Sequence, residues 1–172
     1  KGVIAKTPEE AGAQAGKLHA DRPLVRSRAQ AGLDVLKKQV TVDPGKIAVI
    51  GYCFGGMCVL ELARSGADIG GVVSFHGALN TPNPADAKNI KAKILVLHGA
   101  DDPYVSADEV AAFEQEMREG GVEWQLFKYG GTVHAFTNPA AGNDNTKGGA
   151  YNEKADQRSW EAMKTFFAEI FK

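Results

Sequence analysis

The sequence contains little cysteine. Only Cys53 and Cys58 occur among its 172 residues, and their spacing matches neither a CxxC pair nor a disulfide framework. Free thiols persist in reducing compartments, whereas small secreted domains rely on disulfides. We therefore expect a cytoplasmic protein with two free thiols.

An excess of charge of one sign is also lacking. Lys and Arg number 20 against 21 Asp and Glu, so the chain carries no global field that would attract nucleic acid or an anionic surface. No apolar run approaches the roughly 18 residues of a membrane helix, and the start lacks the order of a signal peptide. We expect neither nucleic acid nor a membrane as a partner.

An initiator Met is absent as well, because the chain opens with KGVIAK. This favours a piece of a longer protein. The length of 172 residues predicts one domain over residues 1–172, and a chain of this size buries roughly two thirds of its unfolded surface on folding.

Apolar periodicity and capping residues predict short apolar strands that alternate with helices. Thr7, Pro8 and Glu10 mark the start of the first helix, and Ser106 with Glu109 forms a second capping-box pattern. The predicted helices are Pro8–Ala20, a second one from about Leu24 to Gln39 with Val35 and Leu36 among its apolar positions, Phe54–Arg64, Ala107–Gly120 and Asn152–Phe171; the predicted strands are Ile47–Ile50, Gly71–Phe75, Ile94–Leu97 and Glu123–Tyr129.

This alternation predicts an α/β fold, a three-layer α/β/α sandwich with a mostly parallel sheet. In the last helix, the apolar residues at helical spacing are predicted to pack in the core. They are Trp160, Met163, Phe166, Phe167 and Ile170. Parallel sheets bind ligands at the carboxyl ends of their strands, so functional residues are expected there.

Cys53 follows the first strand in the segment Gly51-Tyr52-Cys53-Phe54-Gly55, which matches the G-x-S-x-G nucleophile elbow with Cys in place of Ser. Small residues are expected at positions 51 and 55 because the strand turns at once into a helix. A thiol at a helix N-terminus has a lowered pKa, and the Phe54 N–H would point into an oxyanion hole. The alternative is a small buried residue in a tight turn. Cys58, further along the helix, is expected to pack.

Two later strand ends carry the other candidates. Asp101 and Asp102 follow the third strand, and His134 lies in a Gly-rich loop after the fourth. Each alone has an ordinary interpretation, as a turn carboxylate or a surface histidine. Together with Cys53 they follow the chain order of the α/β-hydrolase triad, nucleophile, acid and histidine.

Two more histidines, His76 and His98, also lie at strand ends. With Cys53 and His134 they provide metal-binding atoms, but no HxH, HxxxH or CxxC spacing supports a metal site. We expect no bound metal, and we expect these two side chains to form hydrogen bonds that shape the rim of the cleft.

The elbow GYCFGG, the segment GADDPYV and the segment YGGTVHAF together resemble the dienelactone hydrolase family, which has the α/β-hydrolase fold and a cysteine nucleophile. The resemblance runs from about Val42 to the C-terminus. It implies that Cys53 is the nucleophile, that His134 is the base and then the acid, and that Asp102, rather than Asp101, orients His134.

The implied reaction is the hydrolysis of a small ester or lactone through a thioester, without a cofactor. The expected cleft is apolar and aromatic, lined by Tyr52, Phe54, Tyr104 and Phe136. Four strands correspond to the C-terminal portion of the family's sheet, so the first strand would have an uncovered edge, and activity would need an N-terminal segment or a partner chain.

Two other functions remain open on the sequence. A flavodoxin-like protein that responds to thiol oxidation would have an acidic residue against Cys53 and no role for Asp102. A non-catalytic α/β scaffold would bury Cys53 in an unreactive form.

Overall fold

The computed structural model describes residues 4–172, which form four strands and five principal helices. In chain order these are α1 (Pro8–Ala20), α2 (Arg22–Lys37), β1 (Ala48–Tyr52), α3 (Phe54–Arg64), β2 (Gly71–Phe75), β3 (Lys93–Gly99), α4 (Ala107–Gly120), β4 (Trp124–Tyr129) and α5 (Glu153–Ile170). The predicted elements are all present, and their ends differ from the predicted ones by at most two residues.

The four strands pair in parallel in the order β1-β2-β3-β4. Sequential order in a parallel sheet places all four carboxyl ends on one edge. β1 pairs with β2 alone among the described residues, so its outer edge is free, as expected. Ile50 on this strand is 43% exposed.

Helices cover both faces of the sheet, which confirms the three-layer α/β/α architecture. On one face, alternate residues of β2 and β3 such as Val72 and Ile94 pack with α2, α3 and α4. On the other face, Val73 and Leu95 pack against α5. Alternation of side chains along a strand separates the two cores.

The predicted core face of α5 needs one correction. Trp160 is 47% exposed, because the side of α5 that packs on the sheet carries Ala155, Ser159, Met163 and Phe166, and Trp160 is turned away from it. In α2, Val35 and Leu36 are exposed, whereas Val25 and Leu33 are buried. In α5 the prediction is confirmed for Met163 and Phe166, and Phe167 and Ile170 pack against the same core, so it is wrong for Trp160 alone.

A cluster of buried charges fixes α3 against its neighbours. The Arg64 guanidinium donates to Glu116 of α4 at 2.8 Å, to Glu61 at 3.0 Å and to the Leu79 carbonyl oxygen at 2.7 Å. Arg26 of α2 donates to the second Glu61 oxygen at 2.8 Å. These bonds connect the helix that follows Cys53 to both helices beside it.

Replacing Arg64 by Ala should therefore lower the free energy of unfolding by about 3–5 kcal/mol, because the buried carboxylate of Glu116 loses its cation and that of Glu61 loses one of its two. Urea denaturation followed by circular dichroism measures this change. Arg118→Ala is the control: Arg118 pairs with Glu114 on the surface, and its loss should cost about 0–1 kcal/mol. Equal losses in the two variants would contradict the anchoring role of Arg64.

Candidate active site

Cys53 lies in a sharp turn between β1 and α3. Its backbone has φ +52° and ψ −117°, a region that side-chain-bearing residues rarely adopt, and its N–H donates to the Phe75 carbonyl oxygen at 3.0 Å. The side chain is exposed at the carboxyl edge of the sheet. This is the geometry that the elbow motif predicts.

The space around the turn explains some of its glycines and corrects one expectation. A Cβ on Gly51 would lie 2.0 Å from the Gly55 carbonyl oxygen, and one on Gly56 would lie 2.5 Å from Ser74 Oγ. A Cβ on Gly55 would meet nothing within 4 Å. The close approach of residues 51 and 55 is therefore real, but only position 51 requires glycine, because the Cα of Gly55 faces open space.

His134 connects Cys53 to Asp102. Its Nε2 lies 3.1 Å from Cys53 Sγ, and its Nδ1 lies 2.8 Å from Asp102 Oδ2. Asp102 is only 5% exposed, and its other oxygen accepts the Tyr104 N–H at 2.9 Å. The three side chains come from three different strand ends, and Asp101, the other candidate, takes no part in this chain of contacts.

The loop that carries His134 is held by its own backbone. The His134 N–H donates to the Gly148 carbonyl oxygen at 3.2 Å, and its carbonyl oxygen accepts the Ala150 N–H at 3.0 Å. The long Gly- and Asn-rich segment thus folds back as a short parallel bridge between His134 and Gly149. The histidine position depends on this segment, a contact that the sequence pattern did not indicate.

The charges of Cys53 and His134 are coupled. The hydrogen bond from His134 lowers the pKa of Cys53 against the opposing effect of burial, and the Phe54 N–H lowers it further. Burial by itself would lower the pKa of His134, but the bonds to Asp102 and Cys53 outweigh it and raise the pKa to about 9. Both shifts favour a thiolate and imidazolium pair near neutral pH.

His76 packs directly behind His134. Its ring centroid lies 5.1 Å from that of His134, and its Nε2 lies 2.8 Å from Thr137 Oγ1. Burial lowers the pKa of His76 to about 4, so this ring is neutral at pH 7. His98 is equally buried. Both lie beneath the surface rather than on the rim that we expected, because His76 directly follows β2 and His98 lies within β3, the two central strands.

Residues 4–172 contain no group of three or more His, Cys, Asp or Glu side chains that could hold a metal ion. Over the same range, no helix combines the length and the apolar character needed to cross a membrane.

A cavity of about 340 Å³ opens beside Cys53. Phe54 and Tyr104 line it as predicted, and the Tyr104 ring meets His134 edge-on at 5.3 Å. Phe136 does not line this cavity, contrary to the prediction. It is 0% exposed, because β3 and α5 enclose it in the core. Tyr52 stacks on Phe75 at 4.5 Å and lies outside this wall.

Several lining residues were not singled out by the sequence analysis, including His19 and Ala15 of α1, Asn80 and Glu109. Glu109 was assigned to a capping box, and Ser106 does accept its N–H at 3.1 Å. Its carboxylate instead accepts the N–H groups of Leu79 and Asn80, at 2.7 and 3.0 Å. The capping pattern identified the helix start but not this second contact.

A parallel sheet covered on both faces, with a cysteine elbow facing a histidine and a buried aspartate at one edge, defines a protein of the α/β-hydrolase class. The dienelactone hydrolase family model matches residues 1–171. The chain therefore belongs to the dienelactone hydrolase family, which is a family of hydrolases.

The chain is also similar to individual proteins over most of its length. An uncharacterized protein of Caenorhabditis elegans is 35% identical over 149 residues, which cover 86% of this chain and 94% of that protein. The solved structure named m3DLH is 41% identical with a TM-score of 0.93, over 100% of this chain and 72% of the other. A dienelactone hydrolase-like promiscuous phosphotriesterase from metagenomic libraries is 44% identical with a TM-score of 0.87, over 92% and 66%.

The packing at the elbow predicts opposite outcomes for two neighbouring glycines. Gly51→Ala should destabilise the fold by several kcal/mol, on the order of 3, because its Cβ meets backbone that has no room to move. Gly55→Ala should leave stability unchanged or raise it by roughly 0.5–1 kcal/mol, since Ala suits a helix better. Thermal unfolding of the two variants measures this difference, and equal destabilisation would contradict the packing described.

The coupled charges predict that Cys53 reacts with iodoacetamide at low pH. A free thiol with a pKa of about 8.5 is only about 1% ionised at pH 6.5, so His134→Ala should slow alkylation there by at least about tenfold while leaving the rate at pH 10 similar. Cys58, whose pKa is raised by burial, is changed to Ser in both proteins so that one thiol is measured. Superimposable pH profiles would show that His134 does not activate Cys53.

Proposed function

We propose that this protein hydrolyses small carboxylic esters or lactones through a thioester on Cys53. The observation that carries the proposal is the contact chain from Cys53 Sγ to His134 Nε2, at 3.1 Å, and from His134 Nδ1 to Asp102, at 2.8 Å. Such a chain provides a nucleophile, a proton carrier and a group that orients it.

In the first step, the Cys53 thiolate attacks the ester carbonyl carbon, and the Phe54 N–H donates to the oxyanion that forms. The imidazolium of His134 gives its Nε2 proton to the departing alkoxide, which leaves as an alcohol. The acyl group remains on Sγ as a thioester, while Asp102 keeps the Nδ1 proton in place.

In the second step, the neutral His134 Nε2 accepts a proton from water as the water oxygen attacks the thioester carbonyl. Collapse of this intermediate releases the carboxylic acid and returns the thiolate beside the imidazolium. The sum is one ester and one water converted into one acid and one alcohol, without any cofactor.

The site lacks the features that a thiol sensor or a non-catalytic scaffold would require. A thiol sensor of the flavodoxin-like type calls for a carboxylate against Cys53, whereas the side-chain partner of Sγ in the described residues is His134. A non-catalytic scaffold calls for a buried thiol, and Cys53 is exposed. Both observations favour hydrolysis.

A second candidate substrate class is the neutral phosphotriester. It rests on the 44% identity to a promiscuous phosphotriesterase and on the open cavity beside the same thiol. Release of 4-nitrophenol from diethyl 4-nitrophenyl phosphate, lost in Cys53→Ala, would support this second class.

The free edge of β1 supports an extension of the proposal. Within residues 4–172 this strand pairs only with β2, which leaves backbone groups of its outer edge without a partner there, and the side chains of Ile50 and Tyr52 are exposed. We propose that full activity uses a further strand here, supplied by an N-terminal segment or by a partner chain.

Mass spectrometry after brief exposure to 4-nitrophenyl acetate tests the mechanism. We expect an acyl adduct of one acetyl group on Cys53, no adduct at Cys58, and loss of turnover by at least about a thousandfold in Cys53→Ala and His134→Ala. Asp102→Asn should also lose turnover, because His134 then loses the carboxylate that orients it.

Repeating the assay over a range of protein concentrations tests the role of a partner, since dimerisation would raise the rate per thiol. An active wild type whose turnover survives in Cys53→Ala would contradict the proposed mechanism. So would acylation that occurs equally at Cys58.

A further inference from the structure

A second cavity of about 440 Å³ adjoins Cys53 on the side of α1. Its wall consists of Cys53, Phe54 and a set of α1-side residues that is almost entirely apolar. These residues are Ala5, Ala11, Gly12, Gln14, Ala15 and Leu18. Gln14 is the one polar side chain among the six.

The two cavities meet at the thiol. Cys53, Phe54 and Ala15 line both of them, whereas His19, Asn80 and Glu109 line only the first. Both cavities are largely apolar, but the first also presents these polar side chains beside the thiol, whereas the second presents almost only hydrocarbon. The two substituents of an ester diverge from its carbonyl carbon, so a substrate attacked by Cys53 places one substituent on each side.

The second cavity owes its space to the small side chains of α1. A Cβ added at Gly12 would meet nothing within 4 Å, so the wall there is open to a larger side chain. The helix begins at an N-cap, where Thr7 accepts the Glu10 N–H at 3.2 Å, and its last turn contacts the site, where His19 meets the Phe54 ring edge-on at 5.6 Å. Space of this size and apolar lining is typical of sites for small organic molecules.

We infer that the second cavity binds the hydrocarbon part of the substrate, and that Gly12 and Ala15 determine how large that part is. The inference rests on the proposed function, since it takes Cys53 as the attacking group. It assigns the substrate class more narrowly, to esters with one extended apolar substituent and one compact or polar substituent.

Substitution at Gly12 tests this inference with a matched control on the same helix. Gly12→Leu should lower the ratio of kcat/KM for 4-nitrophenyl octanoate to that for 4-nitrophenyl acetate by at least about tenfold, mainly through KM. Gly16→Leu adds the same side chain four residues further on, at an exposed position outside both cavities where a Cβ also meets nothing within 4 Å. Its ratio should match that of the wild type.

A second pair of substrates shows which half of the ester enters. If the alcohol part occupies the cavity, Gly12→Leu should instead lower the ratio for 2-naphthyl acetate to phenyl acetate and leave the acyl-chain ratio unchanged. Either result supports a hydrocarbon site. Both ratios unchanged, or an equal change in Gly16→Leu, would overturn the inference.

A measurement that does not need turnover separates this inference from the proposed function. N-hexylmaleimide and N-methylmaleimide both add to the Cys53 thiol, and the ratio of their rates reports room for a hydrocarbon chain. Gly12→Leu should lower this ratio severalfold, and Gly16→Leu should not. If the protein hydrolyses no ester but the ratio falls in Gly12→Leu, the proposed function is refuted and the hydrocarbon-binding role of the cavity is retained. An unchanged ratio would refute that role.

Discussion

The site depends on one backbone contact, the approach of Gly51 to Gly55 across the turn at Cys53. The hydrogen atoms of Gly51 leave room for the Gly55 carbonyl group, so β1 can pass into α3 without an intervening loop. This forces Cys53 to a positive φ and directs its thiol away from the sheet. A longer connection would relax the strain, but it would also free the thiol from the N-terminal end of α3.

Holding a strained turn in place requires support from the surrounding structure. Here α3 provides it, because Arg64 binds Glu61, Glu116 and the Leu79 carbonyl oxygen in a region closed to solvent. Buried charges are costly to place, and their value lies in the precise geometry that their hydrogen bonds impose. The same helix contacts β1 and β2, so its position also sets the edge at which Cys53 emerges.

The chemistry of the site depends on a balance between burial and pairing. Burial makes the charged forms of Cys53 and His134 less favourable, whereas their mutual hydrogen bond and Asp102 favour those forms. Pairing outweighs burial, so the pKa of Cys53 falls while that of His134 rises. His76, buried without a carboxylate partner, shows the opposite balance, and burial keeps it neutral. Two adjacent histidines thus differ in charge because only one of them contacts Asp102.

The sequence by itself determined the α/β fold class and the three side chains Cys53, Asp102 and His134. It also determined that each of them follows a different strand, so that they meet at the carboxyl edge of the sheet. Apolar periodicity, glycines and caps are local signals, and parallel strands in chain order leave few ways to arrange their ends. Tertiary structure alone decided the burial of particular side chains and the residues beside the thiol. Phe136 entered the core, Trp160 remained at the surface, and Glu109 and α1 came to line the cavities beside Cys53. These outcomes depend on contacts between residues far apart in the chain, which no local pattern records.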